Sequence, residues 1–106
     1  KKNIIIVFQP HRFSRTKILI NDFIDILKEI KFLFILDIYS AGEKPIKNIN
    51  SINLVKKINK KNKNAVYINN TDNINKILKK HYKKDNIIIF MGAGSITNLA
   101  SNLFVK

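Results

Sequence analysis

Four short, unbroken apolar runs separated by segments with helical spacing are what most constrain this chain. Ile4–Phe8, Phe32–Leu36, Ala65–Ile68 and Ile87–Met91 are each only four or five residues long. Continuous rather than alternating hydrophobicity is what a strand needs when both of its faces are covered. Between the first two runs, from Thr16 to Ile30, Leu19, Phe23, Ile24, Leu27 and Ile30 recur at helical spacing. Asn21, Asp22, Asp25, Lys28 and Glu29 fall on the opposite side. A second helix is expected from Ser51, as its cap, through Leu54, Val55 and Ile58. A third is expected from Thr71 through Ile74, Ile77 and Leu78, and a last one after Gly94, burying Ile96, Leu99, Ala100 and Leu103. Strands alternating with helices imply parallel pairing through right-handed crossovers, which gives an α/β fold of three layers around a mostly parallel sheet. With 106 residues the chain reads as one domain, residues 1–106. Four strands make a small sheet for such a fold and the chain opens directly on one, so a first strand and helix are expected to be missing on the N-terminal side.

Composition removes several classes of chemistry. Cysteine is absent, which excludes disulfides, thiolate zinc sites and a cysteine nucleophile. Two histidines without a His/Cys cluster give no expectation of a metal site. The longest apolar stretches fall far short of the ~20 residues a bilayer span requires, and Lys1-Lys2-Asn3 does not open a signal peptide, so a cytoplasmic domain without membrane contact is expected. The formal charge is +13, with Lys+Arg 20 against Asp+Glu 7. Lysine supplies all of the basic residues but two, and its clusters (Lys56-Lys57, Lys60-Lys61-Lys63, Lys79-Lys80, Lys83-Lys84) fall on the polar faces and ends of expected helices. A solvated basic face is one reading of this charge. A non-enzymatic module that binds nucleic acid is the other, without an aromatic stacking platform or an arginine-rich recognition helix to support it.

Ligands of open parallel α/β sheets bind outside the carboxyl ends of the strands. Three loops meet that edge: 9–15, 37–45 and 92–95. The only two arginines, Arg12 and Arg15, sit in the first, beside Pro10 and His11. Guanidinium offers a planar fork to a carboxylate or phosphate that lysine does not mimic. Spaced i, i+3 and leading into a helix, the pair can share one side at the positive end of the helix dipole. Alternatively, one of them pairs with a neighbouring acid such as Asp37 or Glu43. His11 is either a polar contact or a structural imidazole, and Glu43 either a functional carboxylate or a solvated turn residue; His81, on the lysine-rich side of a helix, receives no role. Gly92-Ala93-Gly94-Ser95 follows a strand and opens a helix, a place for an anion or simply for tight packing, and it lacks the full dinucleotide fingerprint.

Taken in order, Val7-Phe8-Gln9-Pro10-His11-Arg12-Phe13-Ser14-Arg15-Thr16, Asp22-Phe23, Asp37-Ile38-Tyr39-Ser40-Ala41-Gly42-Glu43-Lys44-Pro45-Ile46 and Met91-Gly92-Ala93-Gly94-Ser95-Ile96 resemble the C-terminal domain of the Mur ligases. The likeness is to the branch that attaches L-alanine to UDP-N-acetylmuramate in peptidoglycan synthesis, and it runs over essentially the whole chain. It implies a Rossmann-like domain that closes over the site of an ATP- and Mg²⁺-dependent enzyme. In such an enzyme the muramyl carboxylate becomes an acyl phosphate that the alanine amine attacks. Carried onto this sequence, His11, Arg12 and Arg15 line the L-alanine pocket, with the arginines on its carboxylate. Gly92 and Gly94 would serve packing or closure. UDP-N-acetylmuramate, ATP and Mg²⁺ would be held mainly by domains outside this chain, which has neither a phosphate-loop lysine nor metal ligands of its own. The chain alone is therefore expected to be inactive, and specific nucleic-acid binding or free-standing nucleotide binding is not expected.

Overall fold

The computed structural model describes residues 3–61, 63–69, 71–82 and 85–92. Strand β1 (Asn3–Gln9), helix α1 (Phe13–Leu27), strand β2 (Phe32–Leu36), helix α2 (Ser51–Asn59), strand β3 (Ala65–Ile68), helix α3 (Thr71–Lys79) and strand β4 (Asn86–Gly92) follow one another. The four strands form one all-parallel sheet in the order β3-β2-β1-β4. The expected α/β domain with a parallel sheet is therefore what the chain forms, in the Rossmann-like arrangement. The helix expected after Gly94, with Ile96, Leu99, Ala100 and Leu103, lies outside the described residues, as do Lys83-Lys84 and the capping side chain expected of Thr71.

The apolar runs explain the layers. Because successive strand residues face opposite ways, Ile5 and Val7 join Phe34, Leu36, Ile68, Ile74 and Leu78 in a core under α3. Ile6 and Phe8 join Leu33, Ile35, Ala65, Ile24, Leu27, Leu54 and Ile58 in a second core under α1 and α2. Phe8 and Phe23 meet edge-on with ring centroids 5.2 Å apart. The stretches Ile5–Phe8 of β1 and Leu33–Leu36 of β2 are thus dry on both faces, which is the reason they are apolar at every position.

Two helix starts differ from expectation. Helix α1 begins three residues before Thr16 and ends at Leu27 rather than Ile30. Its start moves because Arg12 holds a left-handed backbone (φ 70°, ψ 142°) that swings the chain straight into the helix, and Thr16 then donates its amide (3.1 Å) and its hydroxyl (2.7 Å) to the Arg12 carbonyl. Ile30 still packs against the core from outside the helix. At α2 the cap is Asn50, whose side chain accepts the Asn53 amide at 2.8 Å. Ser51 points inward, buried, and its hydroxyl donates to the Leu36 carbonyl at 2.5 Å.

His81 also departs from its expected place. The chain turns back after α3 and brings the imidazole against Phe32 and Phe34, at centroid distances of 5.6 and 5.7 Å, so this histidine packs on the sheet rather than sharing the lysine-rich side of the helix.

Candidate functional site

The strand order puts a topological switch between β1 and β4: β1 connects through α1 to β2 on one side, whereas the chain returns after β3 and α3 to pair on the other. Open α/β sheets bind ligands in the crevice at such a point. Here the carboxyl ends of β1 and β4 lie in register, Gln9 opposite Gly92. Gly92 has φ 138°, and a Cβ there would run into the Gln9 carbonyl, so this position requires glycine for backbone approach. That agrees with the packing role expected of Gly92; Gly94 lies outside the described residues.

Beyond β1, the chain is tied to the loop after β2. The Tyr39 amide donates to the Pro10 carbonyl (2.9 Å), and the Arg12 amide donates to the Tyr39 carbonyl (2.7 Å). His11 and Tyr39 thereby form a parallel bridge, with their rings 5.5 Å apart. The Gln9 amide group adds a bond to the Asp37 carbonyl at 3.1 Å. Asp37 accepts the Tyr67 hydroxyl, and partial burial together with that carboxylate pushes the Tyr67 phenol up to about 12.

On this frame the three residues expected to bind substrate come together. His11, Arg12 and Arg15 line one open cleft of about 610 Å³ with Ser14, Ile18 and Leu19. A smaller adjoining hollow of about 310 Å³ shares His11, Arg15 and Leu19 and reaches Gln9 and Gly92 at the switch point. Among the described residues, neither arginine makes an ion pair; the one salt bridge joins Lys28 and Asp25 at 3.7 Å. The alternative in which Asp37 or Glu43 takes up a guanidinium is not what the side chains do. Asp37 is engaged by Tyr67, and Glu43 by Ser14, whose amide donates to Oε1 at 3.1 Å and whose hydroxyl donates to Oε2 at 2.5 Å. These Ser14 bonds, ahead of smaller contributions from the Phe13 amide and the Arg12 charge, hold the Glu43 carboxyl below its usual range. Glu43 is therefore engaged across the loops: it caps the first turn of α1 from a turn 29 residues away.

Among the described residues, no group of three His, Cys, Asp or Glu side chains could hold a metal ion. Likewise, no helix among them is long and apolar enough to cross a membrane. The described lysines of α2 and its exit, Lys56, Lys57, Lys60, Lys61 and Lys63, are exposed, as a solvated face requires.

A parallel sheet with helices on both faces, and His11, Arg12 and Arg15 lining a cleft that adjoins its switch point, defines a Rossmann-like domain with a cationic edge. No family model matches the chain. Individual relatives do: it is 45% identical over 95 residues to the UDP-N-acetylmuramate–L-alanine ligase of Hydrogenobaculum sp. (strain Y04AAS1), covering 90% of this chain and 20% of that protein. It is 40% identical over 107 residues to the ligase of the same name from Wigglesworthia glossinidia brevipalpis, covering 100% of this chain and 22% of the relative. For the one from Sulfurihydrogenibium sp. (strain YO3AOP1) the figures are 37% over 102 residues, 96% and 22%. The chain is thus a Mur ligase domain, matching a C-terminal domain of the UDP-N-acetylmuramate–L-alanine ligases, and it spans about a fifth of the length of these relatives.

Proposed function

We propose that this chain is the amino-acid-holding domain of an ATP-dependent ligase that joins L-alanine to UDP-N-acetylmuramate. Arg12 and Arg15 grip the alanine carboxylate, and His11 lines the same pocket as a polar contact. The observation that carries this reading is that both arginines of a lysine-rich protein line one cleft, three residues apart, and neither makes an ion pair among the described residues. A carboxylate supplies the planar, bidentate acceptor that two such forks lack. Bonds to Tyr39 and Thr16 fix the Arg12 backbone before any ligand arrives, which lowers the main-chain part of the ordering cost of binding.

In the reaction, phosphoryl transfer from ATP to the muramyl carboxylate gives an acyl phosphate and ADP. The alanine amine then displaces phosphate and forms the amide. This domain's part is to hold the amino acid by its carboxylate so that the amine is free to attack. On this reading ATP and Mg²⁺ are held mainly by parts of the enzyme outside this chain, which spans about a fifth of its relatives' length, and the chain alone catalyses nothing. Replacing Arg12 by Ala in the full-length ligase is expected to raise the KM for L-alanine by about 10- to 100-fold, the loss of a charge-assisted bond of roughly 1.5–3 kcal/mol, while the KM for ATP stays put. An unchanged alanine KM removes the carboxylate grip.

A further inference from the structure

Helix α1 starts without the usual means of satisfying its first amides. Its first turn carries no acidic residue, and the side chain of its N-cap residue, Arg12, makes no capping bond. Instead it places a cation at Arg12 and another at Arg15, at the end of the helix where the dipole is already positive. The missing cap comes from 29 residues away, where Glu43 gives both carboxylate oxygens to Ser14, between the two arginines.

The turn that delivers this carboxylate is itself constrained. Ala41 (φ 50°) and Gly42 (φ 87°) both sit in the left-handed region, and the Glu43 amide closes the turn onto the Ser40 carbonyl at 3.0 Å. No atom crowds the place of a Gly42 Cβ, so glycine is needed there for its backbone rather than for space. Just upstream, the Tyr39 carbonyl holds the Arg12 amide. One short segment, 39–43, therefore grips the first turn of α1 at two consecutive points, backbone at residue 12 and side chain at residue 14.

We propose that Glu43 is a positioning residue: by capping α1 across the loops, it fixes the spacing and direction in which Arg12 and Arg15 meet the amino-acid carboxylate. The inference rests on the amino-acid-binding reading above. It also assigns the helix terminus to Glu43, which leaves the ligand carboxylate to the guanidinium groups. A plain charge argument predicts the opposite effect, since an anion beside two arginines should weaken their hold on another anion. Removing the Glu43 carboxylate separates the two.

In the full-length ligase, Glu43→Ala is expected to raise the alanine KM about 10- to 100-fold, the scale of a positional error near 1 Å. The KM for ATP stays unchanged, and deuterium uptake of residues 12–16 accelerates. Glu43→Gln, which keeps an acceptor for the Ser14 amide but no charge, falls between Ala and the parent. Should the alanine variant fail to fold, Ser14→Ala, which deletes the hydroxyl bond alone, gives the same pattern with a smaller rise. An alanine KM that is unchanged or lower in these variants overturns the proposal, as does unchanged deuterium uptake. Arg12→Ala in parallel separates the two readings. If it raises the KM and Glu43→Ala does not, only the positioning role fails; if neither does, the carboxylate grip has failed and the positioning role with it.

Discussion

Arg12 meets two demands at once: its guanidinium lines the cleft, and its backbone occupies a conformation that side chains rarely adopt. Strain of this sort costs ~1–3 kcal/mol and persists only where neighbours over-determine it, as the Tyr39 and Thr16 bonds do. The two demands separate in a pair of variants. Both Arg12→Gly and Arg12→Ala lose the guanidinium, but only glycine relieves the backbone, for ~0.5–1 kcal/mol of extra chain entropy. The glycine variant is expected to be more stable than the alanine variant by about 1–2 kcal/mol, a Tm several degrees higher. Equal melting temperatures would mean that the backbone at Arg12 is not strained. At this scale the sequence was half legible. Two arginines in a lysine-rich chain mark the candidate site because composition makes them rare, whereas Glu43 was legible as a carboxylate at the ligand edge but not as the partner of Ser14, 29 residues away.

Elements were easier to read than their ends. A run such as Phe32–Leu36 buries apolar residues at nearly every position, so strand identity follows from pattern. The edge strands β3 and β4 are equally apolar but leave Val66, Ile87, Ile89 and Met91 exposed. Ends depend on single hydrogen bonds, and at α2 two adjacent residues compete for the cap. Asn50 takes it, and Ser51 satisfies a buried carbonyl at the end of β2 instead. The two losses should rank by burial. Asn50→Ala exposes a first-turn amide to water at a cost of about 0.5–2 kcal/mol. Ser51→Ala leaves the Leu36 carbonyl without that donor in a dry place, at about 1–3 kcal/mol. Urea unfolding of both variants checks the order: a larger loss for Asn50→Ala would show that the Ser51 bond to β2 contributes little. The same logic explains the shifted start of α1. Helical periodicity locates the face that Ile24 and Leu27 bury, but the first residue is set by the left-handed turn at Arg12, which no periodicity reveals.

For the whole molecule, strand alternation implied the parallel layers, while the order β3-β2-β1-β4 came only with the fold. That order turns a list of loops into a site, because it brings the arginine loop and Gly92 to one crevice. It also leaves the described lysines of α2 and its exit on the outside. With a formal charge of +13 and, among the described residues, a single ion pair, the protein repels itself wherever salt does not screen it. Its extents are 40 × 30 × 18 Å. At 0.01 M salt the Debye length of ~30 Å spans most of the molecule; at 0.15 M, ~8 Å confines each lysine to its neighbours. Raising NaCl over that range is expected to stabilise the 106-residue chain on the order of 1 kcal/mol, read as about 4–8 °C in Tm. A protein whose charges were paired would lose stability instead, so a falling Tm would show that the lysines contribute attractive contacts. The same titration bears on the basic surface as a nucleic-acid interface. Unspecific attraction predicts DNA affinity that collapses with salt and matches that of any chain of equal charge, and a surface shaped for DNA would keep an excess over such a control at 0.15 M. With the lysines solvated on the α2 face and the arginines turned to the cleft, no excess is expected. On the proposed amino-acid reading, the field of the lysines would concentrate small anions around the domain, and the guanidinium groups of Arg12 and Arg15 would select one of them.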